Sequence, residues 1–395
     1  MRILMVSPNP LDATLGASKV TLELAAALNA LPDVVCDLCG PDDVGVIRHF
    51  SRQGWADFNA GMNDFIRRKG ADYDVVDVDH EHLPFPREAF SSRPLLVARS
   101  VLLVHHLERI RFPLPRNPRI LASRVVHAAS SARFLKQRIA DATATIAAAD
   151  LVNVSNRADK AELITRGVAA SKIVVLPFGM TRARRDAFAQ STSAPASPPV
   201  VAFVGSFDFR KGAADFPQIF SAILAAVPGV RLALFGTAGH FRTAAEVRRL
   251  FPAEQRDAVD IYTKFDPASL PDLLARCSVG IFPSYCEGFG FGVLEMLAAG
   301  LPVCAYDAPG PPEMLSRELL APPGQTKELA AKIVAFLTNS AALDEARIAA
   351  RKTAARFEWL DIARQTVASY AAHAEQRQRS SRSADDARNV AGHTP

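Results

Sequence analysis

Glu287-Gly-Phe-Gly-Phe-Gly-Val-Leu-Glu295 sets three alternating glycines between two acids. Ahead of it, Ile281-Phe-Pro-Ser284 reads as the end of a buried strand, and Tyr285–Gly290 as the loop that leaves it. Behind it, Val293–Ala299 reads as a helix, closed by Gly300 and Pro302 where a helix stop belongs. Strand, glycine loop and helix in that order predict a βα unit of a parallel sheet. Gly288, Gly290 and Gly292 remove side chains at a helix start, where free backbone N–H groups and the helix dipole favour a phosphate.

The flanking acids ask for something else. An ionised carboxylate only accepts hydrogen bonds, so Glu287 and Glu295 suit hydroxyl donors rather than a second anion. A nucleotide sugar offers sugar hydroxyls, a diphosphate and ribose hydroxyls in one ligand. The plain alternative is a glycine-rich turn with two exposed acids at a helix start, itself a favourable placement.

Outward from this segment, short apolar runs alternate with helical patterns, as parallel sheets built from βαβ units require. Strands are predicted at Arg2–Ser7, Val34–Cys39, Asp74–Asp79, Leu95–Ser100, Leu151–Ser155 and Ile173–Leu176, with a helix over Ser18–Leu31. A second set falls at Val200–Gly205, Val230–Gly236, Ala258–Tyr262, Val279–Pro283 and Pro302–Tyr306. Between them, 181–199 has no periodicity, is rich in Ser and Pro near its end, and reads as a linker. The predicted architecture is α/β: two Rossmann-like doubly wound parallel-sheet domains, 1–180 and 200–356, facing an interdomain cleft. A helix over 357–374 follows, and 375–395, polar and without aromatics, is expected to be disordered.

Composition agrees with a two-domain globular chain: 395 residues, 49% hydrophobic and 22% charged, with net charge +5. No nucleic-acid module accompanies that mild basic bias, so phosphate-bearing ligands or an acidic membrane surface are the better partners. Five cysteines, at 36, 39, 277, 286 and 304, are too sparse for a disulfide framework and imply reduced thiols. Cys36 and Cys39 sit on a strand without a second pair, which sets a redox or zinc role aside. The apolar start is too short for a signal peptide, and no run reaches the roughly 18 residues of a membrane span. The expectation is a cytoplasmic or peripheral membrane protein.

Glu287-Gly-Phe-Gly with Glu295, followed by Ala299-Gly-Leu-Pro-Val303 and Gly310-Pro-Pro-Glu313, resembles the retaining GT-B glycosyltransferases of family four. Phe203-Val-Gly205-Ser206-Phe-Asp-Phe-Arg210-Lys211-Gly212 is similar to the segment that opens the family's C-terminal domain. Val175-Leu-Pro-Phe-Gly179 resembles its interdomain Pro-Asn-Gly, with Phe178 replacing Asn, and Phe357-Glu-Trp359 its crossing helix. The resemblance implies that Glu287 contacts donor-sugar hydroxyls and Glu295 the ribose. The helix start from Gly288, Phe289 and Gly290 through Phe291, Gly292 and Val293 would hold sugar and phosphates. Lys211 would neutralise the diphosphate.

Departures from the family pattern accompany it. Ser206 stands where the family has Arg. Arg210 is the substitute at hand, although neighbours on an extended strand face opposite ways. The family's glycine turn corresponds to Leu15-Gly16-Ala17-Ser18, where Gly16 would approach the phosphates and Ser18 cap the helix, or both simply make a turn and cap. Val101 occupies the family's His position, leaving Arg99, His105 and His106 as cleft candidates, with structural roles as the alternative. Base contacts are assigned to the Tyr262–Phe265 loop.

The family works without a catalytic metal, and no cofactor or metal is expected. Asp77-Val-Asp79-His80-Glu81-His82 still puts ligand-type residues at alternate strand positions. From Leu107 to Arg138, arginines 109, 111, 116, 119, 124, 133 and 138 with Lys136 form either a surface for anionic lipid or a lipid-diphosphate acceptor, or a solvated face. The reaction implied is transfer of a sugar from a UDP- or GDP-linked donor to a glycan or lipid-linked acceptor with retention. A nucleotide-sugar-binding protein without transfer competes with it. A dinucleotide enzyme would need G-x-G-x-x-G after the first strand, which this chain does not have there.

Overall fold

The computed structural model describes residues 1–12, 16–111, 118–191 and 196–391, with backbone alone for 16–17, 118–129 and 380–391. Its first sheet holds β1 (Arg2–Val6), β2 (Val35–Cys39), β3 (Val75–Asp79), β4 (Leu95–Arg99), β5 (Leu151–Val154) and β6 (Ile173–Val175), in the order β2-β1-β3-β4-β5-β6. The second holds β7 (Val200–Val204), β8 (Arg231–Phe235), β9 (Val259–Tyr262), β10 (Val279–Phe282), β11 (Val303–Tyr306) and β12 (Leu320–Ala321), in the order β12-β11-β10-β7-β8-β9. Every pairing is parallel. The inner strands are apolar runs buried along nearly all their length, as β7 shows at all five positions, because helices cover both faces, whereas the edge strands β2, β6 and β9 are partly exposed.

Strand order reverses between β1 and β3 in the first sheet and between β7 and β10 in the second. At such a switch point neighbouring connections leave in opposite directions and open a crevice beyond the carboxyl ends. The glycine-rich segment 287–295 follows β10, one strand of that pair. The two-residue β12 is too short to leave a periodic signal in the sequence.

Six helices bear on the site: α1 (Gly16–Asn29), α2 (Pro118–Ala148), α3 (Arg157–Thr165), α4 (Arg182–Gln190), α5 (Phe291–Ala298) and α6 (Trp359–Ala391). Two expectations are corrected here. The supposed aperiodic linker begins as α4, because Thr181 Oγ1 accepts from the Arg184 amide at 3.3 Å and Phe188 is buried. Residues 192–195 lie outside those described. The tail expected to be disordered is helical through Ala391, since no Gly or Pro interrupts 359–391. Arg377 also ties that helix to Pro94 O (2.8 Å) and Asp150 (3.1 Å).

α6 is the element that returns the chain to the first sheet. Trp359 Nε1 donates to Glu23 of α1 at 2.5 Å, and Tyr370 is fully buried against β3 and β4. No described helix is long and apolar enough to cross a membrane.

Candidate functional site

Gly290 adopts φ +95°, a left-handed conformation that glycine takes without strain, and forms the N-cap of α5. A side chain at Gly292 would strike the carbonyl of Val204, whose carbon lies 3.1 Å from the Cβ position. The start of α5 is therefore seated on the carboxyl end of β7, at the switch point. Phe289 and Phe291 pack edge-on and stacked on Phe178, with centroids 5.7 and 5.8 Å away, and Phe357 joins Phe289 at 5.2 Å. Phe178 thus gives the turn after β6 an aromatic contact with the glycine loop 287–292. Val293 is fully buried beneath it.

Glu287 is buried, and three groups converge on its Oε1: Lys211 Nζ at 2.8 Å, Arg210 Nη1 at 2.9 Å and Ser284 Oγ at 2.7 Å. Burial by itself would raise this carboxyl's pKa; the Lys211 and Arg210 charges outweigh it and bring the value down to about 2. Oε2 receives none of the described hydrogen bonds, so the ionised acid keeps one oxygen for a ligand hydroxyl.

Arg210 and Lys211 do not sit on an extended strand. Residues 209–215 form turns, with Gly212 at φ +82° and Lys211 N donating to Asp208 Oδ1 at 3.0 Å. Neighbouring side chains consequently reach the same acid, which corrects the expectation that they diverge. Gly205, at φ +145°, leaves Lys211 Nζ 3.6 Å from where its Cβ would stand. Ser206 Oγ bonds Asp208 at 3.2 Å and so braces the turn instead of offering a cation.

Glu295 is buried too, and the sequence reading missed what holds it. Arg184 Nη2 of α4 lies 2.7 Å and Lys19 Nζ of α1 3.3 Å from its Oε1. Neither cation carries a local motif. Both come to Glu295 from outside the second sheet. Gly16 opens α1, and its surroundings lie outside what is described, as does Leu15. Ser18 does not cap α1 but sits inside it, donating from Oγ to Pro10 O at 2.7 Å.

The first sheet meets this site through backbone. A Cβ on Gly288 would collide with the Val101 carbonyl, whose carbon is 2.8 Å from the Cβ position, and Asn156 Nδ2 donates to Gly288 O at 2.6 Å. Val101, expected from the resemblance to stand at a His position, therefore presents a carbonyl to the glycine loop 287–292. Asn156 also accepts the Asp159 amide at 2.8 Å as N-cap of α3.

Other first-sheet candidates are engaged elsewhere. Arg99 donates to Asp77 Oδ2 at 2.9 and 2.6 Å and to Tyr370 Oη at 2.7 Å, a buried triad that docks α6. It also borders a small cavity at the ends of β1, β3 and β4. His106 Nε2 is 2.8 Å from Asp159 Oδ1. His105 bonds Thr143 of α2 at 3.1 Å and is buried. The structure thus gives neither histidine a contact with Glu287.

Asp77 being taken by Arg99, the alternate acids of the D-x-D do not converge. The ligand-type atoms that cluster, within 4.8 Å, belong to Asp79, His80 and Glu81. Glu81 is already bidentate to Arg138 at 2.7 and 2.9 Å, which places a guanidinium where a metal would need a free oxygen. In the basic segment Arg109 pairs with Glu162 at 2.9 Å, so with Arg138 two of its cations face acids. Arg116 is outside the described residues, as are the side chains of Arg119 and Arg124. Tyr262, 40% exposed, stacks on Phe235 at 4.9 Å, and Phe265 covers Gly236. Both lie at the carboxyl end of the second sheet, the end that carries the glycine loop 287–292.

Two facing doubly wound sheets with a glycine-opened helix and buried acids at the cleft define a GT-B protein. Over 93% of its length the chain aligns with sucrose-phosphate synthase from Thermosynechococcus elongatus (98% of that chain, TM-score 0.72, 23% identity). Over 94% it aligns with Anabaena HepE in complex with UDP-glucose (all of that chain, TM-score 0.64, 19% identity). Residues 198–339 match the family model of glycosyl transferases group 1. D-inositol 3-phosphate glycosyltransferase of Segniliparus rotundus is 30% identical over 234 residues, 55% of this chain and 51% of that protein. O-antigen chain mannosyltransferase B of Escherichia coli is 29% identical over 102 residues, 26% and 27% of the two chains. The chain spans about half, or less, of the length of the curated relatives it matches.

Proposed function

We propose that this chain transfers a hexosyl group from a UDP- or GDP-linked sugar to a glycan or lipid-diphosphate-linked acceptor, with retention and without a catalytic metal. The observation that carries the reading is the buried, ionised Glu287 that draws Arg210 and Lys211 together beside a glycine-opened helix start. Arg210 and Lys211 stand where a leaving diphosphate gains charge, and fixed cations in a dry site stabilise that charge better than water does. When the donor binds, phosphate oxygens replace Glu287 on these cations, and Glu287 accepts from sugar hydroxyls. Glu295 accepts from the ribose as Arg184 and Lys19 yield. Tyr262 and Phe265 border the base.

The acceptor hydroxyl attacks from the side of the leaving phosphate, and a phosphate oxygen takes its proton. Such front-face transfer depends on positioning and charge rather than on a protein nucleophile. The acceptor occupies the side built from residues 1–180, and 200–356 carry the donor. A cytoplasmic or peripheral membrane place and a part in polysaccharide assembly accompany this reading. The HepE complex with UDP-glucose makes that sugar nucleotide the first donor to try.

Binding without transfer is the second reading, favoured by Ser206 in place of a cation and by Glu295 already holding two cations. A transfer and donor-hydrolysis assay with Glu287→Ala as control separates them. Turnover in the parent chain that falls by orders of magnitude in the variant supports transfer; donor binding with no turnover supports the second reading. An inverted product anomer by NMR would rule out the retaining mechanism.

A further inference from the structure

At the carboxyl ends of β1 and β3, beside the strand-order switch of the first sheet, Asn9, Asp79, Arg99 and Val101 border a cavity of about 40 Å³. A water-sized group takes roughly 10–15 Å³ of such space, so the cavity admits an arm of two or three heavy atoms and no sugar ring. Val101 forms part of its wall, and the Val101 carbonyl abuts Gly288. One residue therefore separates the cavity from the glycine loop 287–292.

Two polar groups on this rim keep unused hydrogen-bonding capacity. Asp79 Oδ1 accepts the Glu81 amide at 2.9 Å and lies 3.7 Å from His80 Nδ1, whereas Oδ2 receives none of the described hydrogen bonds. The Asp79 side chain is 16% exposed, and Oδ2 keeps accessible surface. Burial would raise this carboxyl's pKa; His80 and the Glu81 amide outweigh it and hold the acid ionised, well below its ordinary range. Asn9 is oriented by Arg48. Arg48 Nη2 donates to Asn9 Oδ1, and a guanidinium only donates, so the amide's Nδ2 is left over. No described group accepts from Nδ2, which also keeps accessible surface. Behind Asn9, Arg48 Nη1 donates to His82 Nε2 at 3.0 Å, His82 Nδ1 to Asn59 Oδ1 at 2.8 Å, and Asn59 Nδ2 to Asp141 Oδ2 at 3.1 Å. His82 and Asn59 are buried, so a chain of polar groups running from α2 through the helix Arg52–Lys69 fixes the amide on the rim.

A hydroxyl both donates and accepts. One that enters this cavity can donate to Asp79 Oδ2 and accept from Asn9 Nδ2, which satisfies both groups. We propose that the cavity takes the hydroxymethyl arm of the acceptor sugar, and that Asp79 and Asn9 select this arm and so set the ring beside the glycine loop. Arg48 and His82 act through Asn9 and are positioning residues. Asp79 orients the acceptor and takes no proton; the proton released in transfer goes to the leaving phosphate. That the bound sugar is an acceptor rests on the transfer reading, whereas binding of the arm does not.

Methyl glycosides of glucose, mannose and galactose, each beside its 6-deoxy counterpart, are suitable probes. NMR titration of the full chain, with and without UDP, is expected to shift the Asn9 side-chain amide saturably with at least one of the three. Its 6-deoxy counterpart is expected to bind about tenfold more weakly. Asp79→Ala is expected to bring the two to equal affinity. Asn9→Asp keeps an oxygen for Arg48 and loses the amide donor, so it is expected to narrow the gap while unfolding no earlier than the parent. Should Asp79→Ala not fold, Asn9→Asp and the Asn9 resonance of the parent decide. No saturable Asn9 shift with any of the three, equal affinity of the 6-deoxy counterpart in the parent, or full discrimination persisting in either variant overturns the proposal. Failure to bind UDP would count against the transfer reading, and the titration without UDP would still decide the cavity.

Discussion

Glu287→Gln keeps the shape of the side chain and removes its charge, so it isolates what the acid contributes to the unliganded fold. The carboxyl pKa lies near 2 in the folded chain against an ordinary 4.5. That difference corresponds to about 3 kcal/mol favouring the folded state when the group is ionised. Because the folded value is the lower one, the contribution is complete above about pH 4.5 and is lost as pH falls toward 2. The substitution is therefore expected to cost about 3 kcal/mol at pH 7 and roughly half of that at pH 3, since Gln resembles the protonated acid. Urea unfolding of both chains at the two pH values, followed by Trp55 and Trp359 fluorescence, measures the gap. Equal midpoints at pH 7, or a gap that does not narrow by pH 3, would refute the claim that Arg210 and Lys211 hold an ionised Glu287. The same variant frees both cations, so UDP is expected to stabilise it more than it stabilises the parent, read as a larger thermal shift at equal ligand.

Gly288→Ala places a methyl against the Val101 carbonyl, a backbone group that cannot rotate away. A loss of roughly 1–3 kcal/mol, with weaker UDP binding as the loop lifts from β4, is expected in thermal and calorimetric measurements. Gly212→Ala combines φ +82° with a Cβ 2.9 Å from Pro283 Cγ, and should destabilise by about 2–4 kcal/mol in urea unfolding. Tyr370→Phe leaves Arg99 and Asp77 without the hydroxyl between them; about 1–3 kcal/mol and earlier proteolysis of α6 are expected. His105, with its pKa near 3 against 6.5, is expected to show no titration in NMR between pH 5 and 8. Its neutral form favours folding above about pH 6.5, and that support is lost as pH falls toward 3.

The parallel sheets were legible because buried strands are continuous apolar runs, and each predicted run contains a strand within a residue or two of its ends. Gly290 and Gly292 were legible for a related reason: backbone geometry at a helix start restricts residue type over a few positions. α4 and the far half of α6 were missed where polar composition hid a Thr cap and an uninterrupted helix.

The sequence alone marked Glu287–Glu295 as a glycine-opened helix start between two acids, a property of one contiguous stretch. Tertiary structure decided what those acids meet. A turn at 209–215 swings adjacent Arg210 and Lys211 onto Glu287, 77 and 76 positions away. Lys19 and Arg184, 276 and 111 positions away, hold Glu295, and Tyr370 claims Arg99 from 271 positions away. Local spacing carries no trace of such pairs, because a buried charge is satisfied by whichever opposite charge the packing of helices and sheets delivers to it.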